Sequence, residues 1–399
     1  MRGIAFLFLL LFSIFLIAGL IPYFVRILTL VYSRASKFNS KNSTDPNEFP
    51  TSMTFPKMSV ILPVYNEEKI IVRKIQNLLG LKYPEDKIEI VIVDGNSSDK
   101  TVELIESFQD ERVVLIRNQK REGVTQAAID GVRISTGDVV ILTDTEALFE
   151  DKALQFLADD LSDFEIGAIT GMEEIVNPKD NLTTKMEHTH RIFYNLFSVS
   201  ESIVYSTSYF RGEFAAIRKF LFPMNIGEKG ILDMEIAFSA IRAGYRAKCD
   251  PRIKFFGLAA DKLSDRNLQK IQRATLNQEC LFKNRDLLFS PNFYGRMIFP
   301  SMFTIYITSP VFFLFSFLLF PLVLLELPLM VAVFLLSSFA VCCLISQVRN
   351  LILTFLQSQL YLLIGLSKVI FGRQKYLKKV ESTRRNFDLP LKKDKRDYR

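Results

Sequence analysis

Tryptophan is absent from the 399 residues, histidine occurs twice and cysteine four times. Cys249, Cys280 and the adjacent pair Cys342 and Cys343 have neither metal-ligand spacing nor the pattern of a disulfide-stapled domain, so they read as reduced structural thiols. His188 and His190 stand two apart without a partner cluster, which argues against a histidine metal site. Charge is missing from two long stretches: none occurs from Gly3 to Val25, and between Arg296 and Arg349 only Glu326 interrupts the apolar residues. An apolar run of about 20 residues crosses a hydrocarbon core of about 30 Å as a helix, so an ordinary soluble protein is excluded and a membrane-embedded one expected. The first run is longer than the apolar part of a secretory signal and no small-x-small site precedes Pro22, so it reads as a retained span.

Pro321, Glu326 and Pro328 mark a break in the second stretch, which therefore fits two spans folded as a hairpin. The last apolar stretch, Asn350 to Ser367, contains Gln357, Ser358 and Gln359 and fits either an interfacial helix or a further span. Arg26, Arg34, Lys37 and Lys41 follow the first span while only Arg2 precedes it, and the tail after Phe371 carries 11 Lys or Arg against 4 Asp or Glu. Basic flanks stay in the cytosol, so the central region and the tail are both expected there, with an even number of spans between them. That favours the hairpin plus an interfacial helix in a multi-pass protein of the cell membrane. The tail's excess of seven positive charges equals the net charge of the whole chain, so the remainder balances and nucleic-acid binding is not implied. The expected organisation is a membrane helix at residues 1–32, a polar linker at 33–56, an α/β domain at 57–296, the hairpin and third apolar helix at 297–371 and the basic tail at 372–399.

Within the central region, Met58 to Val64, Ile88 to Val93, Arg112 to Ile116 and Val139 to Thr143 read as strands. They alternate with helical patterns at Glu67 to Leu79, Lys100 to Phe108 and Gly123 to Ile134. Such alternation predicts a Rossmann-like, mostly parallel sheet covered on both faces, with ligands at the carboxyl ends of its strands. The polar clusters Tyr65 to Glu67, Asp94 to Asp99 and Asp144 to Glu146 all fall at those ends, so three loops converge on one crevice.

Asp94 ends an apolar strand before Gly95 and a polar turn, a position that suits hydrogen bonding to a base or ribose and equally suits capping the next helix. Asp144 and Glu146 place two carboxylates together at a strand end, where they repel unless a cation sits between them. Magnesium or manganese, bound by one or two carboxylates and by substrate phosphates, fits that arrangement. A solvated acidic turn is the bland alternative.

Three segments, Ser59-Val-Ile-Leu-Pro-Val-Tyr-Asn-Glu67, Val91-Ile-Val-Asp-Gly-Asn-Ser-Ser-Asp99 and Gly137-Asp-Val-Val-Ile-Leu-Thr-Asp144, in this order and spacing resemble the nucleotide-sugar motifs of family 2 glycosyltransferases. The resemblance spans roughly Met58 to Leu288. It implies a GT-A-like fold in which Pro63, Tyr65 and Glu67 line the nucleotide pocket, Asp94 meets the base and Asp144 lies near the diphosphate and metal. Glu146 departs from the Asp usual in that motif. Asp233-Met-Glu235, followed by Ala243-Gly-Tyr-Arg246, is similar to the family's acidic motif, with Asp233 as the base that takes the acceptor hydroxyl's proton. Leu232 replaces the polar residue often found before it.

Gly212 and Glu213 resemble the acceptor-side loop, with Arg211 beside them as a possible phosphate contact. Lys270 to Ala274 stands where polymer-making members carry Gln-x-x-Arg-Trp, and only Arg273 matches, as a clamp for the donor diphosphate. With no tryptophan in the chain, that stacking platform for a growing sugar chain is missing.

The expected function is therefore a membrane-bound inverting glycosyltransferase. It would use a nucleotide-sugar (UDP-sugar favoured), a divalent cation and a lipid-linked or glycan acceptor. The alternatives are a processive polysaccharide synthase, a polyprenyl-phosphate glycosyltransferase and a catalytically silent membrane scaffold.

Overall fold

In the computed structural model the described residues are 2–39, 55–177, 181–226, 232–372 and 383–384. Most of the expected linker and of the basic tail lies outside them. The chain divides into two compact units, residues 32–266 with 379–399 and residues 1–31 with 267–378. The division falls at Arg266, before the end at 296 expected from the sequence.

The first unit is built on one eight-stranded sheet. Its strands are β1 (Met58–Val64), β2 (Ile88–Asp94), β3 (Val113–Arg117), β4 (Val139–Leu142), β5 (Leu148–Phe149), β6 (Ile166–Ile175), β7 (Ala215–Arg218) and β8 (Arg246–Gly257). They lie in the order β3-β2-β1-β4-β7-β6-β8-β5. The β3-β2-β1-β4 half is wholly parallel, whereas β7 runs antiparallel to both β4 and β6, and β5 antiparallel to β8.

The parallel half is built by continuous apolar runs, because helices cover both of its faces. Met58, Val60, Leu62 and Val64 of β1 pack with Ile71, Ile75 and Leu78 of helix α2 (Ile71–Leu79) in one buried cluster. α3 (Thr101–Glu106) packs beside α2, and α4 (Val124–Ile134) lies against β1 and β2. At Gly131 of α4 an added Cβ would stand 2.6 Å from Ile61 Cγ2 and 3.1 Å from Val93 Cγ2, so glycine sets how closely this helix approaches the sheet. In the other half α5 (Ala153–Leu161), α6 (Leu182–Val204) and α7 (Leu232–Arg242) pack on β6 and β8. The capping box at Asn181 and Thr184 starts α6.

The second unit contains α1 (Arg2–Asn39) up to residue 31 and α8 (Leu263–Lys283) from residue 267. The helical run Tyr294–Glu326 follows, in which α9 (Phe299–Phe303) and α10 (Ser309–Glu326) are joined by π-helical turns; α11 (Leu329–Leu344) and α12 (Ser346–Phe371) complete it. Among the described residues three helices are long and apolar enough to cross a membrane: Phe6–Ala35, Tyr294–Glu326 and Val348–Phe371. The expected hairpin partner, α11, has 16 residues, about 24 Å of helix, and falls short of the bilayer core. The stretch read as an interfacial helix or a further span lies in the longer helix Val348–Phe371.

Two of its polar residues find partners within the helical unit. Gln359 is buried and donates to Tyr23 Oη at 2.8 Å, and Ser358 back-bonds to Thr354 O. Gln278 of α8 donates to the carbonyls of Tyr306 and Leu362.

Candidate active site

The carboxyl ends of β1 and β2 are tied into one surface. Asn66 N–H donates to Ser97 Oγ at 2.9 Å, Ser98 N–H to Asn66 Oδ1 at 2.9 Å, Glu68 N–H to Asp99 Oδ2 at 3.2 Å and Glu67 N–H to Thr101 Oγ1 at 2.7 Å. Asn66 and Asn96 take φ of 52° and 68°, a left-handed conformation that asparagine tolerates better than most residues. Pro63 lies past the last β1–β4 pairing, so its missing N–H costs no ladder bond on that side. Arg121, from the loop after β3, lies over the Tyr65 ring at 4.1 Å from its centroid.

Asp94 is buried and turned into its own loop, accepting from Ser97 N–H at 3.0 Å and from Ser97 Oγ at 2.5 Å. The carboxylate shapes the turn and does not cap the next helix, whose N-cap is Lys100.

At the end of β4, Asp144 Oδ1 accepts the N–H groups of Glu146 and Ala147, each at 3.1 Å. Thr143 Oγ1 donates to Glu213 O at 2.8 Å, and the β4–β7 pairing sets Leu142 opposite Ala215. This is how the loop of Gly212 and Glu213, about 70 residues further along, reaches the Asp144 turn. Asp144 feels the charges of Glu213 and Glu146, and Glu146 those of Glu67 and Glu213. Four carboxylates from three segments, Glu67, the Asp144–Glu146 turn and Glu213, therefore lie within electrostatic reach of one another.

Sequence reasoning missed two cations beside them. Lys74 of α2 is fully buried, donates to Thr143 Oγ1 at 2.7 Å and to Ala147 O at 2.6 Å, and lies within electrostatic reach of Asp144. Burial pushes its ammonium down to about 7 and, together with Glu213 and Glu146, pushes the Asp144 carboxyl up to about 8. The pair offsets its own charge, which leaves Glu67, Glu146 and Glu213 as the surplus. The second cation is Arg384, which bonds Glu67 Oε1 at 2.8 Å and Glu146 Oε1 at 3.1 Å. A lysine on an amphipathic helix reads as a solvated residue, and nothing near Arg384 in sequence points to this pocket.

The remaining expected residues divide. Asp233 is half-buried in the first turn of α7, on the side of the sheet that follows β4, and its Oδ1 accepts from Met234 N–H. Gly212 is exposed, with open space where a Cβ would stand. Arg211, expected near phosphate, is buried, bonded to Glu173 and stacked 4.2 Å from the Tyr194 ring centroid. It belongs to the scaffold. Arg273 is in the helical unit on α8, within electrostatic reach of Tyr306.

Among the described residues no three His, Cys, Asp or Glu side chains form a ready metal cage. A surplus of carboxylates without a cage still fits magnesium or manganese, which take one or two carboxylates and complete their shell with waters and phosphates.

A family profile described as Glycosyl transferase family 2 matches residues 59–223. The chain is 30% identical over 145 residues to the probable glycosyltransferase YdaM of Bacillus subtilis, covering 35% of this chain and 34% of that protein. It is 23% identical over 232 residues to the poly-beta-1,6-N-acetyl-D-glucosamine synthase of Staphylococcus aureus, covering 57% and 56%. It thus spans between a third and just over half the length of these curated relatives. A solved mannosyltransferase, PcManGT from Pyrobaculum calidifontis in complex with GDP-Man and Mn2+, superposes with a TM-score of 0.69 at 25% identity over 91% of this chain and 100% of that one. The ordered motifs, the mixed sheet and the acidic crevice agree with these matches: residues 59–223 carry a domain that matches glycosyl transferase family 2, on a GT-A-like fold.

Proposed function

We propose that this chain is a membrane-bound inverting glycosyltransferase that moves a sugar from a nucleoside-diphosphate sugar to a hydroxyl of a lipid-linked or glycan acceptor. The observation that carries the reading is the pocket of Glu67, Asp144, Glu146 and Glu213 beside the Asp94 turn, at the carboxyl ends of parallel strands in a family 2 domain. Surplus carboxylates repel a diphosphate, so the donor enters with a cation. Asp144 and Glu146 are the residues proposed to hold magnesium or manganese, which when bound neutralises charge on the diphosphate oxygens. The GDP-Man and Mn2+ in the Pyrobaculum protein support this assignment.

Tyr65, stiffened by Arg121, and Asp94 are proposed to receive the base and ribose, with Pro63 and Glu67 shaping the pocket. Arg273 is proposed to meet the donor diphosphate. Asp233 takes the proton of the acceptor hydroxyl as its oxygen bonds to the anomeric carbon. The bond from that carbon to the diphosphate breaks on the opposite face, which inverts the centre. Gly212, without a side chain, and Glu213 border the acceptor. Uridine diphosphate is favoured by the family resemblance, and guanosine diphosphate is the alternative that the neighbour's ligand supports.

The catalytic unit and the tail are proposed to be cytosolic. Basic residues after the first span support that side, and two long helices after the catalytic unit, with α11 not crossing, return the chain to it. Likeness to the Staphylococcus synthase favours a second reading, a processive polymerase, which the missing tryptophan of the Arg273 segment opposes.

The test is nucleoside-diphosphate release by detergent-purified protein with manganese, a panel of nucleotide-sugars and a native lipid extract. Metal-dependent release from one donor, lost in Asp233→Asn, is the expected result. Absence of release from every donor by folded protein overturns the reading in favour of a silent scaffold, and products many sugars long establish the processive alternative.

A further inference from the structure

Thr383 and Arg384 are two described residues of the basic tail, and both are seated in the catalytic unit. Thr383 is buried and hydrogen-bonds to Glu146, 237 positions earlier in the chain. Arg384 Nη1 meets Glu67 and its Nε meets Glu146, so one guanidinium bridges two carboxylates that belong to different site loops. The Arg384 side chain is 13% exposed and that of Glu67 6%, which removes this bridge from the class of solvated surface pairs that contribute almost nothing. The planar fork suits two carboxylates at once in a way an ammonium does not.

Glu67 and Glu146 are also among the groups that face the proposed donor, and the charge they lack is the charge Arg384 supplies. A divalent cation brought to Glu146 and a guanidinium already on it repel each other across a few ångströms of partly desolvated space. We infer that Arg384 is a resident counter-cation of the donor site: it holds the Glu67 and Glu146 carboxylates while no donor is bound, and a divalent cation arriving with a nucleoside diphosphate displaces it. The tail then reports on site occupancy, since Arg384 is bound to the pocket in one state and released in the other. This rests on the donor-site reading above, yet its test needs no sugar transfer.

The experiment is a Mn2+ titration of the detergent-purified full chain, followed by electron paramagnetic resonance, alone and with uridine or guanosine diphosphate. Arg384→Gln is expected to bind Mn2+ about tenfold more tightly than the unaltered chain, because a charge-assisted bridge no longer has to be broken. Arg384→Lys, which keeps the charge but reaches one carboxylate at a time, is expected between the two and covers the case in which the glutamine variant does not fold. Glu146→Gln is expected to abolish the difference.

Equal or weaker Mn2+ binding by the folded Arg384 variants overturns the inference, as does the absence of Mn2+ binding in every variant. A lowered melting temperature with unchanged Mn2+ affinity overturns it in favour of a structural staple. Tighter Mn2+ binding without diphosphate release from any donor leaves the counter-cation standing while the transferase reading falls.

Discussion

Two buried groups of charges in the catalytic unit are built from the same residue types with opposite stoichiometry. In the half of the sheet built on β6, β7 and β8, Glu173 takes Arg191 and Arg211, and Glu187 takes Arg191 and Arg266, so each carboxylate has two guanidinium partners. At the ends of the parallel strands the ratio inverts, with Glu67, Asp144, Glu146 and Glu213 around Lys74 and Arg384. The cation-rich group ties α6, β6 and the residue before Gly212 together and is sealed from solvent. The acid-rich group stays partly exposed, at 29% for the Glu146 side chain, and retains a capacity for cations. Buried charge therefore ties the scaffold in one half and lines the candidate site in the other, with opposite balances of sign.

Breaking one carboxylate in each group should separate stability from chemistry. Glu173→Ala leaves two buried arginines short of a partner, so a loss of about 3–5 kcal/mol is expected in urea unfolding of the catalytic unit. Glu146→Gln at the partly exposed site takes one carboxylate from Arg384 but leaves Glu67 on it, so a smaller loss of about 1 kcal/mol is expected while diphosphate release falls about a hundredfold. If Glu146→Gln unfolds the protein and Glu173→Ala does not, the division proposed here is reversed. Between the two groups, Gly131→Val tests whether the parallel half depends on the close approach of α4. It should cost about 1–3 kcal/mol through overpacking against Ile61, read by the same unfolding measurement.

The smallest effect concerns a third group. Among the described residues Asp159, Asp160 and Asp250 pair with Lys248 and Arg252, three carboxylates with two cations. Burial and the neighbouring Asp250 charge push Asp160 up to about 7 from an ordinary 3.8. A raised carboxyl stabilises the fold while protonated, so its contribution is full below about 3.8 and is lost as pH rises through about 7. Asp160→Asn, permanently neutral, should flatten the dependence of melting temperature on pH across that window. An unchanged profile would mean that Lys248 and Arg252 keep Asp160 ionised throughout.

The parallel half was legible because its signals are local. Apolar runs at β1, β2 and β4 end in Asn66, Asp94 and Asp144, and a parallel sheet with helices on both faces puts such ends on one edge. The mixed half was less legible, since β6 and β8 bury polar residues such as Thr170, Glu173 and Asp250 whose partners lie far along the chain. Arg211 looked available for phosphate because its partner Glu173 is 38 positions away. The partner of Gln359, Tyr23, was equally out of reach of the sequence because it belongs to the first helix.

By itself, the sequence determined the membrane helices, the alternation of strands and helices, and the motif residues at the strand ends, because each depends on periodicity or on neighbours a few positions away. The tertiary structure alone decided which charges meet. Lys74 became the buried partner of Asp144, Glu213 joined the pocket through the β4–β7 pairing, and Arg384 came from 238 positions beyond Glu146 to bridge it with Glu67. Electrostatic attraction acts through space and carries no mark of chain separation, so a cation that completes a site from the far end of the sequence leaves no local pattern by which to find it.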